Sequence, residues 1–197
     1  MLRPLKAILL VPVLTAGTAQ AVEEPRFTVE ARTATYEIRR YDPVLVAETP
    51  VTAAFDEAGN AGFRVLAGYI FGNNQTRARI AMTAPVIQEA AGGTVLQPSA
   101  AGFVVQFTLP AGSALATLPA PNDPRVRLRE LPARRVAVLG YSGSWSEGRY
   151  QAKAATLLAA LKGDGLRPLG PPVLARFDSP FQLWFLRRNE VWVELEA

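Results

Sequence analysis

Cysteine and histidine are both absent from this 197-residue chain. Without thiols there are no disulfides, no thiolate zinc sites and no cysteine nucleophiles. Without imidazole there is no Ser-His-Asp triad and no histidine-held metal. Lysine is scarce, with only Lys153 and Lys162 after residue 21, and Met82 is the one methionine beyond the first residue. Positive charge is therefore almost wholly arginine. No run of carboxylates has EF-hand spacing. The pairs Glu23-Glu24 and Asp56-Glu57 are adjacent in sequence, so their side chains do not share a face. Gly140-Tyr-Ser-Gly143 lacks the spacing of a nucleophile elbow. The segment Gly163-Asp-Gly165-Leu-Arg-Pro168 follows a helical pattern, where a dinucleotide loop would follow a strand. A catalytic role is left with carboxylate or tyrosine chemistry, or with a bound cofactor that does the work.

Hydrophobic residues make up 49% of the chain and charged residues 19%, enough apolar surface for one buried core. Arg3 and Lys6 precede an apolar run from Ala7 to Ala16, and Ala19-Gln20-Ala21 fits a small-x-small cleavage site. Residues 1–21 therefore read as a secretory signal peptide, too short for a comfortable membrane span, with 22–197 as a single domain. The expected location is the periplasm, with no stable membrane anchor after cleavage. Without that segment the chain holds 19 Lys and Arg against 17 Asp and Glu. Near-neutral charge argues against nucleic acid as a partner, since that needs a strong basic footprint.

Strands are expected at Tyr36–Tyr41, Val44–Ala47, Ile80–Gln88, Phe103–Leu109, Arg125–Arg129 and Arg135–Tyr141, from their alternation. Pro85 marks the third as an edge or a bulge. Phe55, Gly59, Gly62, Leu66 and Ile70 recur at helical spacing, and Gly72-Asn73-Asn74 stops that helix. Gly92-Gly93 turns the chain, and 110–124 is a loop. Ser144-Trp-Ser-Glu147 has capping-box spacing ahead of a second helix, with Ala154, Leu157, Leu158 and Leu161 inward. Three strands near 172–176, 182–187 and 190–195 close the chain. Trp145, Trp184 and Trp192 are expected in the core. Arg125, Arg127 and Arg129 share one strand face, which reads as solvated before it reads as an anion site. Two similar halves of strands and one helix each indicate an α+β domain.

Several segments together resemble the SOUL haem-binding protein family. They are Tyr36-Glu-Ile-Arg-Arg-Tyr41, Gly62-Phe-Arg-Val-Leu66 with Tyr69-Ile-Phe-Gly-Asn73, Ile80-Ala-Met-Thr-Ala-Pro-Val86, Pro119-Ala-Pro-Asn-Asp123, Asp178-Ser-Pro-Phe181 and Arg187-Arg-Asn-Glu-Val-Trp192. The resemblance implies a duplicated strand–helix–strand–strand unit, folded as a distorted antiparallel β-barrel with two helices. It also implies non-catalytic, reversible binding of haem or a related tetrapyrrole. A histidine axial ligand is excluded here, which leaves Met82, the five tyrosines and the two lysines beyond residue 21 as candidates, Met82 beside an ordinary packing role.

The expected site is an apolar cleft on the first helix. If Phe55, Leu66 and Ile70 face the sheet, Arg64, Ala67 and Phe71 lie nearer the other face. Gly68 would let a flat ring approach, and Phe177 and Phe181 would cover it. Competing readings are a binder of another hydrophobic or amphiphilic molecule and a protein-interaction module with no small ligand.

Overall fold

The computed structural model describes residues 22–92 and 102–196. The leader expected at 1–21 and Gly93 of the expected turn lie outside those residues. The chain runs β1 (Phe27–Arg32), β2 (Glu37–Tyr41), β3 (Val44–Val51), α1 (Phe55–Ile70), β4 (Val86–Ala90), β5 (Phe103–Thr108), β6 (Arg127–Leu131), β7 (Arg134–Ser142), α2 (Glu147–Gly163), β8 (Val173–Arg176) and β9 (Arg188–Leu195). All the strands join one curled antiparallel sheet in the order β1-β2-β7-β9-β8-β4-β5-β3-β6. The α+β class, the barrel-like curl and the two helices are as expected.

Duplication is visible in that order. Exchanging β2 with β6, β3 with β7, β4 with β8 and β5 with β9 reproduces the same sheet read backwards from β2 to β6. The repeated unit is β3-α1-β4-β5 and β7-α2-β8-β9, related by a pseudo-twofold axis through the β4–β8 pair. β2 pairs with β7 and β6 with β3, so the first strand of each half lies beside the other half.

Both helices cover the same face. Leu66, Tyr69 and Ile70 of α1 pack on Val105 and Phe107 of β5. Tyr150, Ala154, Leu157 and Leu161 of α2 pack on Leu139, Val191 and Val193. A Cβ on Gly62 would overlap the Val105 side chain, so glycine there lets α1 lie directly on β5. The other face carries a smaller cluster of Tyr41, Ile87, Val136, Val138, Ala175 and Trp192.

Several local expectations are corrected. β1 was not foreseen, although Phe27, Val29 and Ala31 alternate with Thr28, Glu30 and Arg32. It is an exposed edge strand, bulged between Val29 and Ala31. Glu30, in that bulge, receives Arg40 at 2.6 Å and Arg135 at 2.8 Å. Residues 80–85 are irregular, and β4 begins only after the cis Ala84–Pro85 bond. No strand forms at 182–187, which is a loop with a 3₁₀ turn at Trp184–Leu186. The capping box does not close: Ser146 is the N-cap without a side-chain bond. Instead the Glu147 amide donates to Asp56 Oδ1 of α1, at 2.8 Å. The sequence cannot show a cap supplied by another helix. Of the three tryptophans, Trp192 is buried, whereas Trp184 is 56% exposed and Trp145 is half-buried.

Two predictions follow from packing. Gly62→Ala should lower stability by ~1–3 kcal/mol through overpacking, read as a reduced urea midpoint. Burial also pushes Tyr36, Tyr41 and Tyr141 up to about 12, from an ordinary 10. Between those values the folded chain keeps protons that the unfolded chain releases. That stability is complete below pH ~10 and is lost as the pH rises through about 12. Absorbance at ~295 nm should therefore show little tyrosinate near pH 10, then a rise together with unfolding.

Candidate functional site

The helix-covered face opens into a cleft of about 380 Å³. Its lining includes Phe63 and Arg64 of α1, Met82, Val86 of β4, Trp145 and Phe177. The lining is mostly apolar, yet Arg176 is part of it and only 6% exposed. Arg176 is the last residue of β8, on the side facing the helices. α1 makes room for it, because a Cβ on Gly59 would land on its guanidinium. Mid-helix glycine costs about 0.5–1 kcal/mol relative to alanine, so this seat is made against helix propensity.

No carboxylate neutralises Arg176. Among the described residues it forms no ion pair, and neither do Arg64, Arg149 and Arg187. Burial pulls the Arg176 guanidinium down to about 10, which still leaves it charged at neutral pH. It lies 4.8 Å from the centre of the Trp145 ring, and Arg187 lies 4.2 Å from the same ring. Trp145 Nε1, the Tyr141 hydroxyl and Asn189 Oδ1 are buried without a hydrogen-bond partner. Tyr141, Asn189 and Arg176 are cross-strand neighbours in β7, β9 and β8. The base of the cleft thus gathers a cation, Arg176, and an indole donor, Trp145 Nε1, with the Tyr141 hydroxyl and the Asn189 acceptor oxygen on the adjoining strands, none of them with a partner among the described residues. Such a floor suits an anion carried on an apolar body.

The duplication supplies an internal comparison. By register, Thr49, Val105 and Gln88 hold in the first half the places of Tyr141, Asn189 and Arg176 in the second. There Gln88 donates to the Phe55 carbonyl at 3.0 Å, so that neutral position is satisfied. The second half departs from this solution at the cleft.

A buried charge on the opposite face is handled differently. Glu190 accepts Arg39 at 3.1 Å and Trp192 Nε1 at 2.6 Å. Despite burial, Tyr41, Glu190 and Glu37 hold the Arg39 guanidinium firmly charged. Arg188 bonds Glu24 at 2.6 Å and lies 3.8 Å from Glu190 on the same strand. The Tyr36–Tyr41 and Arg187–Trp192 segments thus meet in a neutralised network that fixes β2 to β9 across β7. Arg127 and Arg129 of β6 are exposed and Glu48 engages Arg129, in agreement with a solvated strand face, whereas Arg125 precedes the strand and is held by Asp123. A larger cleft, about 540 Å³, lies beside the 23–26 segment and carries Glu23, Glu24 and Glu130. Glu23 accepts the Ala111 amide and Glu24 holds Arg188, so two of its carboxylates are in structural use.

Of the residues expected at the site, Arg64, Met82 and Phe177 line the smaller cleft. Ala67, Gly68, Phe71 and Phe181 lie outside that lining. Ala67 is buried, Gly68 half-buried and Phe71 exposed at the end of α1, whereas Phe181 is 95% exposed past the loop rim. Sequence reasoning missed Arg176, Trp145 and Phe63. A charged residue on the inward parity of the short apolar segment Val173-Leu-Ala-Arg176 was the available signal for the first.

The fold and the cleft define a duplicated α+β ligand-pocket domain, with two helices on one face of a curled sheet. The chain belongs to the SOUL heme-binding protein family, whose model matches residues 22–194. It is 31% identical over 189 residues to human Heme-binding protein 2, covering 90% of this chain and 88% of that protein. The mouse Heme-binding protein 2 is 30% identical over 182 residues, 88% of this chain and 86% of the relative. Among solved structures, the C-terminal domain of EcmrR superposes with a TM-score of 0.62 at 11% identity. That match covers 82% of this chain and 98% of the other, and it is a likeness of fold.

The unpaired guanidinium makes a prediction about stability. Arg176→Met removes a buried charge that lacks a counter-charge and keeps apolar volume. The unliganded protein should gain ~1–3 kcal/mol, seen as a higher urea midpoint. A lower midpoint would show that Arg176 is part of the structural framework.

Proposed function

We propose that the chain is a non-catalytic, reversible binder of haem or a related tetrapyrrole, held in the Phe63–Trp145–Phe177 cleft without a histidine ligand. The observation that carries the reading is Arg176, a buried guanidinium without a carboxylate at the base of apolar walls. A tetrapyrrole with propionate side chains matches that pairing: a flat apolar body with carboxylates at one edge. Family membership supports the same ligand class.

The chain's own residues divide the work. Phe63, Met82, Val86 and Phe177 offer apolar contact to the ring. Arg176 takes one carboxylate, and Arg64 stands at the exposed wall for another. Trp145 Nε1, buried and unpartnered, is a further donor beside that site. At about 380 Å³ the cleft is at the small end of ligand sites and receives one side of the macrocycle. Partial enclosure suits release as well as capture. Haem, when bound, supplies the redox-active iron. Met82 is the thioether at the cleft and would be the residue to hold the iron. Burial keeps the Tyr141 phenol protonated, which makes it a poor iron ligand at neutral pH.

The leader read in residues 1–21 supports a periplasmic location, where such a protein would carry or buffer tetrapyrrole. A second reading, another amphiphile bearing a carboxylate, is favoured by the modest cleft volume and shares Arg176 as its anchor.

A spectroscopic haem titration tests the proposal. The wild type should reach a 1:1 endpoint with a shifted Soret band. Arg176→Met should weaken binding at least tenfold, since a hydrogen bond to a charged group contributes ~1.5–3 kcal/mol. Phe71→Ser, outside the cleft, should bind as the wild type does. Loss of binding in Phe71→Ser would move the site to the outer end of α1. Gradual, non-saturating changes in all three proteins would sink tetrapyrrole binding.

A further inference from the structure

Between β8 and β9 the chain leaves the sheet and presents Phe181-Gln-Leu-Trp-Phe-Leu186. Five of these six side chains are large and apolar, with exposures of 95% for Phe181, 58% for Leu183, 56% for Trp184, 52% for Phe185 and 57% for Leu186. Single exposed apolar residues are ordinary on a protein surface. A contiguous run at the tip of one hairpin is not, and calls for a partner.

The loop is built in a way that suits an apolar surrounding. Part of its backbone is bonded within the loop itself. The Phe181 amide donates to Ser179 Oγ, the Gln182 amide to the Ser179 carbonyl and the Leu186 amide to the Leu183 carbonyl. Arg187 donates to the carbonyls of Gln182 at 2.9 Å and Pro180 at 2.7 Å, and its amide reaches the Trp184 carbonyl. Backbone that enters lipid must find its hydrogen bonds internally, because the acyl region offers none. The base of the hairpin is fixed as well, by the Arg188 amide on Asp178 at 2.5 Å. The tip holds Trp, Phe and Leu with no charge, and the first cations, Arg187 and Arg188, come at its base. This is the residue order of an interfacial anchor, apolar and aromatic inward and basic at the headgroups.

The loop is also continuous with the cleft. Asp178, Ser179 and Pro180 are part of the cleft lining, and the apolar tip begins at the next residue. We infer that Phe181–Leu186 docks reversibly into the interface of a phospholipid bilayer. The docked loop sets the mouth of the cleft against the membrane, so that an amphiphilic ligand passes between lipid and protein. The transfer role rests on the tetrapyrrole reading, whereas the docking itself does not.

Trp184 is the probe for the test. The full chain is mixed with vesicles of phosphatidylcholine and phosphatidylglycerol containing brominated acyl chains. Trp184 emission should shift to the blue and be quenched, and Trp184→Phe should lose most of the quenched signal. Because this readout is local, binding through residues 1–21 does not imitate it. A triple variant, Leu183→Gln, Phe185→Gln and Leu186→Gln, keeps Trp184 and changes only exposed side chains. It should need at least tenfold more lipid for the same quenching, with an unchanged urea midpoint and an unchanged haem endpoint. Unquenched Trp184 in the wild type, or equal quenching in the triple variant, would overturn the inference. So would a micromolar dimer in analytical ultracentrifugation that the triple variant dissociates, because the loop would then serve a second copy of the chain. Vesicle quenching with no saturable haem binding would leave the docking in place and remove the tetrapyrrole reading.

Discussion

A guanidinium withdrawn from water without a counter-charge is the constraint around which one half of this molecule is arranged. Desolvating an ion costs several kcal/mol unless a partner compensates. Arg176 has none among the described residues, and its surroundings are shaped to it. Gly59 gives up its side chain, Trp145 lies beside the charge, and Tyr141 and Asn189 keep polar atoms unpaired nearby. The sheet carries a second buried arginine, Arg39, on its other face. Glu190 and Glu37 neutralise that one, and the result is a strut between strands. The same residue type thus has two roles, set by whether the fold provides the opposite charge. Of the four buried side-chain atoms without a partner among the described residues, three lie around Arg176 and the fourth, Arg134 Nε, is on the opposite face; such a concentration of unmet polar groups is the pattern expected of a binding site.

The duplication makes the contrast sharper. Both halves use the same strand–helix–strand–strand unit, and both place a polar residue under the helices at the strand adjoining the axis. Gln88 in the first half is neutral and bonded to the Phe55 carbonyl. Arg176 in the second is charged and unbonded. Symmetry of this kind places the two halves in equivalent backbone settings, so the difference between them is one of side chains. The same divergence extends to the loops. The β8–β9 hairpin forms the rim of the cleft and continues into an exposed apolar tip, and the solvent-facing part of the site is therefore confined to one end of the sheet.

Much of this architecture could be read from residue order. Period-two alternation marked β2, β3, β5, β6 and β7, and helical spacing marked α1 and α2, because each element has one buried side. The ordered motifs pointed to the family. Individual side chains were harder. Arg39 and Glu190 lie 151 residues apart, and their contact exists only because β2 and β9 flank β7. Asp56 caps the other helix, so the local Ser144–Glu147 pattern misled. The 182–187 run looked like a strand because its apolar residues suit one, yet it lies beyond the last β8 hydrogen bond and has no neighbour to pair with. Three of the residues expected at the site, Arg64, Met82 and Phe177, do meet in one cleft, although they come from a helix, an irregular segment and a hairpin loop.

The amino-acid sequence by itself determined the class of fold, the two-part repeat and the exclusion of thiol and imidazole chemistry. These depend on composition and on short-range periodicity, which any chain carries in its own order. Tertiary structure alone decided which arginine is neutralised and which is left bare, which tryptophan is core and which is surface, and where the cleft opens. Those outcomes depend on distances between residues remote in sequence, and desolvation acts on a group only after the rest of the fold has closed around it.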